Sequence, residues 1–440
     1  MDSAPPAGHN HAVNRTRLWM LPLLLAVLVG GCWYFGFRAK GDDRELPVYV
    51  MGGERMAAGE EIYRRGTDAK PFTYPPFAAV PFVPFAKLPK DWQAPAWFAV
   101  NYVILLLLVR WLHSYGSQPR PGVAPPRVLW FWLVTAIVGG RHVASVLTNQ
   151  SHDLFLAGLI GMTAASWGRG RTWAAIWVGL GGAIKATPLL FLGLFGLRAR
   201  VGATVLLLVV FVAATALPDL LFPRTDGVFW WQAWFDVNLR GLDGGAASAA
   251  GAWNSHSILN QSLGGTLVRL FTPVQTADAS FVLGDRGAVL AIELSPTLFT
   301  VVRIALQLAV LAVITLGVRA AARCVRAASD PTAAQSWVGL GEVAAFACGM
   351  VLLSPQSSKS HFCIWLFPVA FVIDRLLRRR DRVACVLFVA AAVVGLLAKD
   401  LLGRELGNRL LGYGNVTWAT VLLLLATVRC LCTTKCDGGR

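Results

Sequence analysis

The sequence predicts an all-α integral membrane protein, a multi-pass helical bundle of about eleven to twelve spans, and three observations predict it. Of 440 residues, 55% are hydrophobic and only 15% are charged, against about 25% charged in soluble domains. Apolar runs close to the roughly 20 residues needed for one crossing recur along the whole chain. The basic residues gather in alternate short connections, as they do when one side of a membrane carries the positive loops. A mean hydropathy of +0.56 excludes an ordinary soluble enzyme.

Taken in order, the polar residues 1–17 precede a first span at about 18–36. No small-residue cleavage site follows it, so it reads as a retained anchor rather than a removed signal. The first outer loop, 37–91, opens with Leu46, Tyr49, Val50 and Met56 on one face of a juxtamembrane helix lying flat at the interface. Further on, Tyr74-Pro75-Pro76, Pro81, Pro84 and Pro89 predict a stiff, extended stretch. Spans follow at 92–110, 128–147 and 151–167. The stretch 173–197 carries Gly181-Gly182 and Lys185-Ala-Thr-Pro188, and arginines stand at both of its ends. It reads as a broken hairpin of two half-length helices, with the break near Lys185. The span 201–222 leads into a second long outer loop, 223–297, and spans at 298–318, 336–353, 361–377, 383–400 and 414–429 complete the bundle. The whole chain, 1–440, is expected to form one transmembrane domain with a tail at 430–440.

With the N-terminus cytoplasmic, the inside connections hold half of the 40 Lys and Arg residues but only a few of the 24 acids. The formal charge of +16 then fixes orientation and touches anionic membrane lipid, with no nucleic acid needed as a partner. This layout places both termini in the cytoplasm, most simply of a cell's inner membrane, and both long loops outside, where any chemistry would occur. The outer loops contain no cysteine, so no disulfide framework supports them.

Several polar groups in those loops could carry chemistry. Asp42, Asp43 and Glu45 stand between the first span and the juxtamembrane helix, where a carboxylate can act as a general base; a solvated loop offsetting Arg38, Lys40 and Arg44 is the competing reading. The cluster Arg141-His142 and Thr148-Asn149-Gln150-Ser151-His152-Asp153 could bind sugar hydroxyls or pin two helices together. Asn260, Gln261 and Arg269 follow in the second loop, and Ser354-Pro355 leads to Lys359 and His361. Lys185, Arg269 and Lys359 lie on the outer half, where a lipid phosphate would sit. Glu342 interrupts an apolar span and requires a partner or a function.

In order, these marks resemble glycosyltransferase family 87, a group of the GT-C superfamily, from about Glu45 to Pro368. They are the acid-x-x-Val-Tyr segment ending at Tyr49, with Gly59 and Tyr63; Tyr74-Pro75-Pro76; Asn149-Gln150 where the family has Gly-Gln; Lys185 with Pro188; Asn260-Gln261-Ser262 with Gly264 and Arg269; and Ser354-Pro355 leading to His361. Glu45 stands where the family usually has Asp, and Ser358, Lys359 and Ser360 replace its usual Trp, acid and first His.

The resemblance implies a GT-C fold and a hexosyltransferase. It would move a hexose, mannose by analogy, from a polyprenyl-phosphate sugar to a hydroxyl of a lipid or glycan acceptor at the outer face. Glu45, or else Asp42 or Asp43, would be the base. Lys359, His361, Arg269 and Lys185 would face the donor phosphate, and Tyr49, Tyr74, Asn149, Gln150, Asn260 and Gln261 would bind sugar or acceptor, with no metal or other cofactor. A carrier or flippase of lipid-linked saccharides, or an inactive polyprenyl-lipid-binding relative, are the alternatives.

Overall fold

The computed structural model describes residues 22, 24–35, 44–64, 70–118, 127–240, 256–273 and 291–434. Asp42 and Asp43 lie outside these, as does the connection 241–255. Every regular element among the described residues is helical. In chain order they are α1 (Leu24–Trp33), α2 (Leu46–Ala57), α3 (Pro76–Ala86), α4 (Lys90–Ser117), α5 (Val128–Asn149), α6 (Asp153–Trp167), α7 (Ala174–Ile184), α8 (Thr187–Leu197) and α9 (Val201–Leu221). There follow α10 (Trp230–Trp234), α11 (Leu263–Phe271), α12 (Pro296–Ala327), α13 (Pro331–Leu353), α14 (Lys359–Arg378), α15 (Arg382–Leu396), α16 (Lys399–Gly412) and α17 (Asn415–Thr433).

Seven of these helices are long and apolar enough to cross a membrane, or eight if α15 and α16, bent by 83° at their junction, form one span. This is an integral membrane protein. The count is below the expected eleven to twelve because α6, α7, α8 and the described part of α1 are short: 15 residues rise only about 22 Å, against about 30 Å of hydrocarbon. Short helices are tolerated at that depth where protein surrounds them, and α6 and α7 are largely buried. By contrast α9 and α12 present Val205, Val209, Val212, Val301, Leu308 and Leu316 outward. An apolar surface of this kind suits lipid rather than water.

Contacts between helix ends divide the bundle into two poles. At one, Glu45 N–H donates to Asn149 O (3.0 Å), Thr225 N–H to Gly59 O (3.0 Å) and Gln261 N–H to Ser357 O (2.7 Å). At the other, Tyr115 donates to Trp337 O (3.3 Å), Arg378 to Gly116 O (2.9 Å) and Arg429 pairs with Asp381 (3.0 Å). The arginines of the short connections, from Arg169 and Arg171 to Arg198, Arg378 and Arg429, belong to the second pole.

The stretch 173–197 forms the expected two half-length helices. α7 stops at Lys185, whose backbone is extended (φ −151°, ψ 119°), and α8 restarts at Thr187-Pro188, with proline in the first turn where it lacks no needed donor. Lys185 reaches Asp153 at the first end of α6, while Arg198, just past α8, lies beside Trp167 at the other end. The chain therefore rises to Lys185 and returns, a hairpin with its tip at the first pole.

The two long loops are clamped together at that pole. Arg224 pairs with Glu61 (2.9 Å) and with Asp226 and stacks over Trp230. Beneath them α2 packs through Gly52 on Phe72 and through Gly53 on α3, which is helical where its prolines had predicted an extended stretch, because Pro76 and Pro84 stand in first turns where no amide donor is missed. A Cβ on Gly53 would come within 2.5 Å of the Phe82 backbone, so only glycine allows this approach.

Candidate active site

At the first pole, three separate segments bring titratable groups to one narrow crevice. Asp153 opens α6, Lys185 tips the hairpin and His361 lies in the 3-10 turn that starts α14; with Thr187, Ser354 and Ser357 they line the crevice. Glu45, at the start of α2, is not part of that lining but lies within electrostatic range of it, since Asp153 and Lys185 both act on its carboxyl.

Asp153 organises this centre. Lys185 Nζ lies 3.0 Å from its Oδ1, Ser151 Oγ donates to its Oδ2, and His361 Nε2 stands 3.8 Å from Oδ2. The Ser358 N–H donates to His361 Nδ1 (3.1 Å), which leaves Nε2 to carry the proton of the neutral ring. A carboxylate engaged by Lys185 and a serine is a poor proton acceptor. Glu45 differs: its carboxylate accepts one bond among the described residues, from the Tyr49 hydroxyl at 3.4 Å. Burial raises its pKa above the usual carboxylate value, Lys70 and Lys185 opposing this. Of these two acids, Glu45 is the one able to take up a proton.

Aromatic rings wall the space beside them. Tyr49 and Tyr74 meet edge to face (5.6 Å), and His152 lies against both, at 4.9 and 4.4 Å. Burial pushes both phenols well above their ordinary range, so they act as neutral hydrogen-bonding groups. The neighbouring turn is fixed by Asn149, which donates to Ser360 Oγ (3.0 Å), and by His142, whose Nδ1 meets Lys359 O (3.0 Å). Gln150 adopts the left-handed conformation (φ 55°) and its carbonyl accepts from Trp97 Nε1 (3.0 Å).

The remaining residues expected at the site lie elsewhere. Arg269 is buried in the second loop, where it donates to the carbonyls of Gly412, Ser257, Asn260 and Leu411 and to Thr266. Burial pushes its pKa down to about 9, yet it stays charged at neutral pH. Asn260 bridges Pro355 O (2.9 Å) and the backbone amides of Ser262 and Ser357; Gln261 donates to Ile258 and Leu411 carbonyls. These three hold the loop onto the turn that follows α13 and onto the end of α16. Lys359 turns away from the crevice to Asp400 (3.3 Å). Sequence reasoning missed Asp153 and His152 as individual site residues, although both stood in the polar cluster it singled out. Among the described residues, no three His, Cys, Asp or Glu side chains gather as a metal-binding group.

The profile of glycosyltransferase family 87 matches residues 72–355, well over half of the chain. The chain belongs to that family. It is 28% identical to a polyprenol-phosphate-mannose-dependent alpha-(1-2)-phosphatidylinositol mannoside mannosyltransferase of Mycobacterium tuberculosis, over 96% of this chain and 93% of the relative. The enzyme of the same description from Mycolicibacterium smegmatis is 28% identical over 87% of this chain and 80% of its own length. A pentamannoside mannosyltransferase of that organism is 28% identical over 52% and 53%. No solved structure shows a significant match. The family profile spans Lys185 and Asp153, while His361 falls just beyond its end and Glu45 well before its start.

Proposed function

We propose that this family 87 member transfers mannose from a polyprenyl-phosphate donor to a hydroxyl of a lipid-linked acceptor, with Glu45 as base and Lys185 and His361 at the leaving phosphate. The observation that carries the reading is the meeting of a partly exposed, proton-accepting carboxylate with a Lys-Asp-His group at one crevice. The relatives' donor and phosphatidylinositol mannoside acceptors supply the substrate classes.

In this reaction the acceptor oxygen attacks C1 of the sugar as the C1–O bond to phosphate breaks, and the acceptor proton passes to Glu45. The leaving group changes from a phosphodiester of charge −1 to a monophosphate that gains a further negative charge. Positive groups fixed in advance where that charge develops are usually the largest catalytic contribution. Lys185 supplies the positive charge and the neutral His361 a hydrogen bond from Nε2–H, while Asp153 keeps both in place and, by offsetting the Lys185 charge before the reaction, tempers the hold on the ground-state phosphodiester. Tyr74, partly exposed and backed by the buried rings of Tyr49 and His152, is the ring of the three able to meet the sugar.

The pole carrying the crevice is assigned to the outer face and both termini to the cytoplasm, because the arginine-rich connections lie at the opposite pole. Membranes containing the protein, supplied with radiolabelled polyprenyl-phosphate-mannose and phosphatidylinositol mannoside, should form a covalent labelled product that Glu45→Gln abolishes. Equal labelling by the variant would remove Glu45 from the mechanism, and movement of the lipid with no covalent product would identify a carrier instead.

A further inference from the structure

A second cleft opens at the same pole, between the turn at Ile258-Leu259 and the bent helix α16. Its walls are Ile258, Leu259, Lys399, Asp400, Arg404 and Asn408, and its volume of about 490 Å³ falls within the usual range for small-molecule sites, roughly 300–1,000 Å³. We propose that this cleft binds the headgroup of an anionic phospholipid, through its phosphodiester.

Three observations carry the assignment. Asp400 is engaged by Lys359, whereas Lys399 and Arg404 are exposed and make no hydrogen bond or ion pair among the described residues. Two free cations around an open cleft fit one anion of small size, and Asn408 adds neutral hydrogen-bonding capacity for headgroup hydroxyls. Next, Leu259, Leu401 and Leu406 are exposed, at 56%, 69% and 47%, on the same two segments. Leucines beside cations at the end of a membrane bundle suit the boundary between acyl chains and headgroups, not a soluble anion. Last, α16 turns 83° away from α15 and folds back on itself at Gly403 (φ 78°), seating Gly407 on Lys399, where a Cβ would meet the Lys399 backbone at 2.4 Å. The bend keeps the cations at the bundle's end.

The cleft adjoins the reaction crevice through a single short turn. Lys359, which pairs with a wall residue of the cleft, and His361, which lines the crevice, are two residues apart. A lipid acceptor could thus rest its phosphodiester on Lys399 and Arg404 while its sugar hydroxyl reaches Glu45. This last step rests on the transfer reaction proposed above; lipid binding itself does not. A bulk anionic phospholipid offers the same chemistry.

Full-length protein purified in detergent is to be examined by native mass spectrometry with added phosphatidylinositol or phosphatidylcholine. Wild type and Glu45→Gln should retain phosphatidylinositol, and the double variant K399A/R404A should retain roughly tenfold less, two surface cations being removed. Equal retention by the double variant overturns the site, as does equal retention of the zwitterionic lipid. In vesicles of phosphatidylcholine, K399A/R404A should raise KM for a phosphatidylinositol mannoside acceptor about tenfold with kcat unchanged, and leave transfer to a phosphate-free mannoside unaffected. If retention falls but KM does not, the site stands and its occupant is bulk lipid. If wild type binds lipid but forms no product, the transfer reading fails and the site survives.

Discussion

Glu45 begins α2 half-buried, one hydroxyl of Tyr49 within reach, and its carboxyl titrates above the usual range because burial disfavours the charge. Two consequences follow from the sign of that shift. As a base it must be ionised, so kcat/KM should rise with pH through a value above 4.5, and Glu45→Gln should lower kcat by about 10²- to 10⁴-fold. As a stability contribution the same shift has the opposite sense. The folded state holds this proton more tightly than the unfolded chain does, so stability present at low pH is lost as pH rises through the folded-state pKa. Glu45→Gln should therefore be no less stable than wild type at pH 7 by thermal unfolding in detergent; a clear loss of stability would mean that the carboxylate serves the fold. Glu45, Lys185 and His361 were legible in the sequence because each is an ionisable group at an apolar boundary. Asp153 was not: it ended a run of six polar residues, and only the fold shows that it alone meets Lys185. Arg269, Asn260 and Gln261 looked equally suited to a ligand, because sequence cannot tell which backbone carbonyls a distant loop will leave in need of a donor.

Among the elements, α2 matters most because it carries Glu45 on the packing of two glycines. A methyl group at Gly53 would strike the backbone of Phe82 rather than a movable side chain. Gly53→Ala should cost about 1–3 kcal/mol and shift α2 outward, lowering kcat even though Glu45 is intact. Normal activity in this variant would show that α2 can slide without moving its carboxylate. The broken hairpin was legible from Gly181-Gly182 and Lys185-Ala-Thr-Pro188, since paired glycines weaken a helix and a proline just beyond a mid-span lysine interrupts its hydrogen bonds. The bend into α16 was not, because 383–400 reads as one apolar run straight through the break at Leu397-Ala398. Span lengths misled for a related reason: composition marks 151–167 as membrane-embedded but cannot show that neighbouring helices surround it.

For the molecule as a whole, the pole opposite the crevice is held by a buried charge. Glu342, whose partner the sequence left unnamed, pairs with Arg198 (2.7 Å) and accepts from Trp167 (2.8 Å) and Gln335 (3.3 Å). Arg198→Ala should destabilise the protein by about 3–5 kcal/mol by leaving that carboxylate unpaired, whereas R198M/E342M should restore most of the loss. Thermal unfolding of both proteins in detergent measures the difference; a double variant as unstable as the single one would exclude the ion pair as the cause. The assignment of poles has its own check. In intact cells, Leu259→Cys should react with an impermeant maleimide added outside and Arg171→Cys should not, and the reverse pattern would invert the topology.

The hairpin's two cations also set a length. Lys185 is held against Asp153 at one end of α6 and Arg198 against Trp167 at the other, so the residues between them act as a gauge cut to fit α6. Removing one residue from α8 would turn Arg198 by about 100° and lift it by about 1.5 Å, out of reach of Glu342, or would drag Lys185 off Asp153. Chain length in this stretch is therefore fixed by electrostatics at two points, and insertions or deletions that a surface loop would absorb should here silence the crevice from a distance.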